Sequence, residues 1–416
     1  MAGRSGAAWT LTLAAFIGPV LVAGCLWLLS LAGAAWTRPA VLAVLGALGA
    51  ASWALARSAP APQPSVSQNG RWAWPHAAAA TAAFAAAALL RWNVHADYVY
   101  HWGQKAARNA LLGGIDFAFL TRPWNAHLHP DYPNLMPTLG AAGFVVAGEI
   151  RWLASAALAI LWFAALAGAL VTLASRLAAT RLGCSAAAGV ALWVAAAFAI
   201  GFRQAGGADL PMCAAVAAGA VLLTARPGRE LDAQVAWVAA FAAGTKLEGM
   251  PLAALLLTAH FARTRGFLEP PKALLRRAAI LTLPAALVFS FWLAGVARYG
   301  LFSEANTAGL EAERLGIALR GLADVATRGS IWRGSTAIFL ALPALVLARR
   351  ERWAALWIGA QLVFYIYAYA AGPKDTEHWI ETSAARLLFH LLPSLWVLGI
   401  AWLDRRSAGP GSWESE

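Results

Sequence analysis

Asp97, Lys246 and Arg386 are the residues whose types and settings point most directly to chemistry, because each stands at the edge of an apolar run, where retained charge is costly. An aspartate in such a place can act as a general base. A lysine and an arginine can hold an anion, the arginine through its planar fork and the lysine as a point charge. Each also has a plainer use: Asp97 as a helix cap, the two cations as side chains reaching for headgroups. Asp97 belongs to RWNVHADYVYHWGQKAARN (91–109), which also holds His95 and His101. Lys246 belongs to GTKLEGMP (244–251), where Gly244, Gly249 and Pro251 interrupt a helix and expose backbone groups, which is tolerable at membrane depth mainly around a cavity. Glu248 would pair with a cation there or hold the loop. Asp209 follows Gly206-Gly207 at the start of an apolar run and suits an N-cap as well as a substrate contact. In RPWNAHLHPDYPNLMP (122–137), Pro123, Pro130, Pro133 and Pro137 forbid a regular helix and would hold His127, His129, Asp131 and Tyr132 near Asp97. A His-x-His pair beside an aspartate can ligate a metal, although hydrogen bonding or stacking is the commoner use.

The elements that must position these residues follow from composition. Of 416 residues, 60% are hydrophobic and 12% charged, against about 25% charged in soluble domains, so an all-α polytopic membrane protein is expected. Cys25, Cys184 and Cys213 stand alone in apolar runs, which gives neither a disulfide framework nor a zinc spacing. The net charge of +12 comes from arginines in short loops between apolar runs, where they read as topology signals and not as a nucleic-acid surface. VAGC (22–25) resembles a lipoprotein cleavage site, but the apolar run continues past it, so an uncleaved first span is expected. With about 20 apolar residues per crossing, about twelve helices are predicted near 9–35, 39–56, 73–91, 151–175, 183–202, 208–225, 233–246, 249–263, 277–297, 332–348, 353–371 and 386–403. The pair 233–246 and 249–263 is short, and predicts either one interrupted helix or a re-entrant pair.

Arginine clusters such as Arg176/Arg181, Arg226/Arg229, Arg349/Arg350/Arg352 and Arg405/Arg406 fall on one side together with the N-terminus. By the positive-inside rule that side is the cytoplasm. The chain then divides into two N-terminal helices with a Pro/Ser-rich, mobile linker (1–72), a main helical unit (73–403) whose outer loop is 92–150, and a cytoplasmic tail (404–416). Within the outer loop a helix is predicted over 97–112, ended by Gly113-Gly114, with Val99, Trp102, Ala106 and Ala110 on one face and His101, Gln104, Lys105 and Arg108 on the other. Such a helix would lie along the interface and attract anionic headgroups. A second helix, lying on the surface or dipping into it, is predicted over 133–148, and a further surface helix in AERLGIALRGLADVATR (312–328).

The order of a span, an aspartate at its outer end, an amphipathic helix and then HPDYP-x-LMP resembles the first outer loop of GT-C-fold membrane glycosyltransferases. More specifically it resembles the bacterial members that use polyprenyl-phosphate-linked sugars, the group of lipopolysaccharide and lipid A glycosyltransferases. GGADLPMCAAV (206–216), TKLEGMPLA (245–253) and GPKDTEHWIETSAARLLFHLLP (372–393) agree in order and spacing. The resemblance implies a GT-C-like hexosyl- or pentosyltransferase of the bacterial inner membrane, inverting, with its site on the extracytoplasmic face. It implies a polyprenyl-phosphate sugar as donor, a glycan or lipid hydroxyl as acceptor, Asp97 as base and Lys246 and Arg386 on the phosphate. Asp209, His129, Asp131, Tyr132, Glu248, Asp375 and His378 are the implied substrate contacts. Leu247 replaces the family's asparagine, which bears on substrate detail, and no second acid follows Asp97, so a divalent cation stays open without a paired-acid motif to support it and no other cofactor is implied. The two helices before residue 73 precede the resemblance. A transporter or flippase is the rival reading; it would place broken helices of two related halves at the midplane, whereas these polar features gather at one end.

Overall fold

Segments of alanine, leucine, valine and phenylalanine form helices here because the hydrocarbon interior offers the backbone no outside hydrogen-bond partner. The computed structural model describes residues 2–58, 68–301, 309–328, 335–372 and 375–408. Three helices come first, α1 (Ala2–Leu31), α2 (Arg38–Ser58) and α3 (Trp74–Leu89). The long loop follows, with a π turn at Tyr98–Trp102, α4 (Gly103–Leu112), α5 (Phe117–Leu120), a 3₁₀ turn at Pro123–Leu128 and α6 (Leu135–Ala147). Then come α7 (Trp152–Leu177), α8 (Arg181–Gly201), α9 (Asp209–Thr224), α10 (Asp232–Thr245), α11 (Gly249–Arg263) and α12 (Pro271–Tyr299). The chain closes with α13 (Ala312–Arg328), α14 (Ser335–Leu347), α15 (Arg352–Ala371) and α16 (Thr376–Ser407). Each of the twelve expected runs coincides with one of these helices. Among the described residues six helices, α1, α7, α8, α12, α15 and α16, are long and apolar enough to cross a membrane alone. Residues 59–67 of the expected linker and the start of the run at 332–334 lie outside the described residues.

Helix α9 is buried along its whole length, enclosed by α7, α10, α15 and α16. Its small side chains let neighbours approach closely, the usual basis of helix association where hydrophobic burial alone gives no preference for protein over lipid. The two ends of the bundle differ in chemistry. At one end arginines and acids tie helix termini together: Arg277 holds Asp232 at 2.7 Å and Glu269 at 2.7 Å, Asp404 accepts from Thr180 Oγ1 at 2.6 Å, and Arg405 pairs with Glu351. At the other end the long loop docks on the α1–α2 turn through Trp36 N–H donating to the Gly113 carbonyl at 2.7 Å.

Helices α10 and α11 form a hairpin, since Asp232 at the start of one meets His260 near the end of the other at 2.7 Å. This excludes a single interrupted helix. It places Lys246, Leu247 and Glu248 at the hairpin tip, at the loop end.

The loop departs from expectation in two places. The π turn inserts a residue ahead of α4 and rotates what precedes it, so of the expected apolar face Trp102 and Ala106 are buried against the protein while Val99 is exposed. Lys105 is buried as well, its ammonium 3.0 Å from the His129 carbonyl and stacked over Trp102, so only Gln104 and Arg108 present the polar face expected of α4. Helix α6 does not lie on the surface: Leu135 to Ala142 are all buried among α1, α4 and α7, and Thr138 Oγ1 accepts from Trp27 Nε1 at 2.8 Å. Its composition is nearly all apolar, without the polar stripe that an interfacial helix needs. Gly113 ends α4 in the left-handed conformation, φ +70°, as expected.

Candidate functional site

The site is assembled where the chain leaving α3 meets the α8–α9 connection. Ala205 N–H donates to the Asn93 carbonyl at 2.8 Å and His95 N–H to the Ala205 carbonyl at 2.9 Å, a short parallel bridge. Gly206 and Gly207 permit it: a Cβ on the first would lie 2.8 Å from the Tyr98 ring, and one on the second 2.9 Å from the His95 ring. This contact carries Asp209, the first residue of α9, up beside His95 and Asp97.

Four elements deliver charge to the same spot. Arg386, from α16, donates through Nη1 to Asp97 Oδ2 at 2.6 Å and lies 3.6 Å from Asp209 Oδ2. Lys246, from the hairpin tip, sits 3.1 Å from Asp209 Oδ1 and 3.2 Å from Glu248 Oε1. His390, one turn beyond Arg386, is 3.1 Å from Asp209 Oδ1 through Nε2, and its Nδ1 is 2.8 Å from the Tyr365 hydroxyl. The Asp97 N–H donates to His95 Nδ1 at 2.9 Å, and His95 Nε2 lies 3.4 Å from Arg386 Nη1 and 3.8 Å from Asp209 Oδ2. The proposed base and both proposed cations thus share one cluster.

Neither aspartate caps a helix. Asp97 occupies the N-cap position of the π turn without a side-chain bond to it, and Asp209 lies one residue inside α9 with its carboxylate turned to Lys246 and His390. The side chain of Asp209 is 1% exposed and that of Asp97 26%. Asp97 and Arg386 therefore form the accessible edge, and Asp209 the buried keystone. Burial alone would raise the Asp97 carboxyl, but Arg386 and then His95 outweigh it and hold it below the usual carboxylate value. Burial lowers His95, with Asp97 and Asp209 opposing. At the edge, Arg386 Nε and Glu248 Oε2 are buried without a hydrogen-bond partner, polar atoms whose desolvation a bound polar group would offset.

The proline-rich segment lies one step further out. His101 Nε2 is 3.8 Å from Asp97 Oδ1, and its ring meets that of His129 at 4.5 Å. His129, at φ +48°, packs on Tyr132 with ring centroids 4.8 Å apart. His129 and Tyr132 reach Asp97 through His101. Asp131 is buried, its backbone carbonyl accepting from Trp292 Nε1 at 2.7 Å. Burial pushes the nearby Lys105 down to about 7, against the opposing pull of Asp131. Asp375 and His378 are not brought to the cluster. Both are exposed, and Asp375 caps α16 by accepting from the His378 N–H at 2.9 Å; Arg386 lies about three turns further along, on the order of 16 Å. Among the described residues no group of three or more His, Cys, Asp or Glu side chains is arranged to hold a metal ion.

His390, His95 and Tyr365 were not among the expected site residues. His390 had a signal, since it stands four residues after Arg386 and so on the same helix face. His95 had its place two residues before Asp97. Tyr365 had none.

The hairpin tip is sterically fixed. A Cβ at Gly249 would lie 1.8 Å from the Ala242 carbonyl oxygen, a backbone atom with no freedom to move aside. Gly249→Ala should therefore push α11 away from α10 and displace Lys246 from Asp209. The expected result is a lower melting temperature with loss of function, read by thermal unfolding in detergent and by activity in membranes; wild-type behaviour in both would show that the tip tolerates the shift.

No family model matches the chain, and no curated protein matches it. Two solved structures are similar to it, ArnT from Cupriavidus metallidurans bound to undecaprenyl phosphate and the same protein in the apo state. Each is 18% identical with a TM-score of 0.48, and the match covers 79% of this chain and 60% of ArnT. The chain thus spans about three fifths of the length of that protein.

Proposed function

We propose that this chain is a membrane glycosyltransferase that moves a sugar from a polyprenyl-phosphate-linked donor to a hydroxyl of a glycan or lipid. The observation that carries the reading is the meeting of one partly accessible carboxylate, Asp97, with Arg386 at 2.6 Å, beside Lys246 on a broken helix hairpin. The resemblance of the four sequence motifs to polyprenyl-phosphate-dependent transferases supports it, as does the surface next to the site. An open apolar groove of about 670 Å³ runs between α11 and α15, lined by Pro251, Leu255, Val363, Phe364 and Tyr367. It begins one turn beyond Glu248 and suits a prenyl chain whose phosphate lies at the hairpin tip. The arginine-rich end is the cytoplasmic one in this reading, and the site faces the opposite side of the bacterial inner membrane.

In the reaction the acceptor oxygen forms a bond to the anomeric carbon as the bond from that carbon to the phosphate oxygen breaks, its electron pair leaving on the polyprenyl phosphate. Asp97 takes the acceptor proton. Arg386 and Lys246 hold the departing phosphate, where fixed cations act on charge that grows in the transition state. A single displacement of this kind inverts the anomeric centre. Three carboxylates, Asp97, Asp209 and Glu248, face two cations here, so the phosphate must win Arg386 from Asp97. Donor binding and release of the base are therefore one event.

The experiment is transfer from a radiolabelled polyprenyl-phosphate sugar in membranes. Arg386→Ala should raise the donor KM and lower kcat by about 10²-fold or more. Arg386→Lys should recover only part of that, because an ammonium cannot supply the planar fork. Equal activity of all three proteins at matched abundance would remove the phosphate role. A transporter would instead move a lipid-linked sugar across sealed vesicles without covalent change. The convergence of these charges at one end of the bundle, and not at its middle, speaks against that rival.

A further inference from the structure

The proton that Asp97 receives must leave before the next turnover, and the two carboxylate oxygens have different surroundings. Oδ2 is bound by Arg386 at 2.6 Å, and a guanidinium accepts no proton. Oδ1 faces His101 Nε2 at 3.8 Å, which a small side-chain adjustment or one water closes to hydrogen-bond distance. His95, the other imidazole near Asp97, has both ring nitrogens taken, Nδ1 by the Asp97 N–H at 2.9 Å and Nε2 by Arg386 Nη1 at 3.4 Å. Among the described residues His101 is thus the neutral base beside the carboxylate oxygen of Asp97 that Arg386 does not hold. Its other nitrogen, Nδ1, is buried without a hydrogen-bond partner, and its ring centroid is 6.5 Å from that of His127. His127 is exposed. Its Nδ1 is 2.9 Å from the Trp124 carbonyl; a carbonyl only accepts, so Nδ1 carries the proton and Nε2 keeps the lone pair.

We propose that His101 is a positioning residue that takes the proton from Asp97 after each transfer and hands it to His127 at the surface. The proposal rests on the function proposed above. The Asp97 Oδ1–H bond breaks as Nε2–H forms on His101, giving an imidazolium. The Nδ1 proton of that imidazolium passes to His127 Nε2, directly or through a water, and from there to solvent. A proton returned from His127 to Nδ1 as the Nε2 proton leaves to water restores the starting tautomer of His101. No oxidant or further reactant is needed.

The charges around His101 suit this use. Asp97 faces it from its own turn, His129 and His127 from the proline-rich segment and Lys105 from α4. Burial first and the neighbouring His129 next bring its value down to about 4, with Asp97 opposing. The ring is therefore neutral in the resting protein, and its affinity for a proton lies close to that of a carboxylate. A proton crossing from Asp97 to His101 meets neither a trap nor a steep rise.

The deciding measurement needs no sugar. Full-length protein with ¹⁵N-labelled histidine, in lipid nanodiscs, is titrated from about pH 3.5 to 8.5 by NMR, and the His101 resonance is identified by its loss in His101→Gln. We expect a midpoint near 4, moved lower in Asp97→Asn because the carboxylate supports the imidazolium. A midpoint near the ordinary histidine value of about 6.5, indifferent to Asp97→Asn, overturns the proposal. In the transfer assay, His101→Gln should lower kcat about 10- to 100-fold at unchanged donor KM and unchanged melting temperature, with several-fold recovery on adding imidazole. An unchanged kcat, or a loss that imidazole leaves untouched, also overturns it. Should wild-type protein transfer no sugar from any polyprenyl phosphate, the proposed function fails, while the titration still decides whether Asp97 and His101 are coupled.

Discussion

Asp97→Asn should lower kcat for sugar transfer by about 10²- to 10⁴-fold, the usual worth of a positioned base, and at the same time tighten donor binding several-fold. The second effect follows from the pairing of Arg386 with Asp97 at 2.6 Å. An amide keeps the shape but gives up the charge, so a donor phosphate no longer competes with a carboxylate for the guanidinium. A residue that merely capped a helix would show neither change. The same pairing sets the acid limit. Because Arg386 and His95 hold the Asp97 carboxyl below its ordinary value, its contribution to stability is fully present above the unfolded value of about 4 and is lost as pH falls through the lower folded value. The base likewise stays ionised through that range, so kcat/KM should show no acid limb from this group above about pH 4. Donor titration and initial rates on purified Asp97→Asn protein decide the matter. Full activity, or activity lost together with donor binding, would sink the assignment of Asp97 as base.

Asp209→Ala should cause the largest loss of stability, about 3–5 kcal/mol, the usual cost of removing one partner from a buried charge pair. Asp209 is 1% exposed and is the shared neighbour of Lys246 at 3.1 Å, His390 at 3.1 Å and Arg386 at 3.6 Å. Without it Lys246 keeps only Glu248, and the hairpin tip loses its tie to α9. Much of the damage is the penalty of leaving a buried ammonium unneutralised, and that part is recoverable. The double variant Asp209→Ala/Lys246→Met should melt at a higher temperature than Asp209→Ala alone, although neither transfers sugar. Melting in detergent reads both. Additive losses in the double variant would show that Asp209 and Lys246 do not act as a pair.

Much of the frame was legible before any coordinates, because a membrane imposes a length and a polarity on each segment. Every expected apolar run became a helix, and Gly113 stopped α4 where a glycine was expected to. Asp97, Lys246, Asp209, Glu248 and Arg386 stood out for a related reason: charge at the edge of hydrocarbon needs a partner or a use. The failures are equally physical. Lys105 looked like a surface cation because helical periodicity assigns faces but cannot say which face meets protein, and the π turn at 98–102 broke that periodicity just ahead of it. Helix α6 is too short for a crossing and was expected on the surface or dipping into it; a short apolar helix can also be enclosed by its neighbours, as Leu135 to Ala142 are. Asp375 and His378 matched a motif, yet helical rise alone carries them away from Arg386.

What the sequence determined by itself is the kind of protein and its inventory: a helical membrane chain with few charges, most of them at the edges of apolar runs. Local pattern suffices for that, since hydrophobic length and loop charge are properties of single segments. Only the tertiary structure decided that α9, α16, the α10–α11 hairpin and the loop after α3 bring their charges to one point. It also decided that Asp209 is buried while Asp97 is reachable, and that His390, Tyr365 and His101 complete the set. Those facts depend on how helices far apart in sequence pack against each other. Packing responds to small side chains and shape along whole interfaces, which no single stretch of residues records.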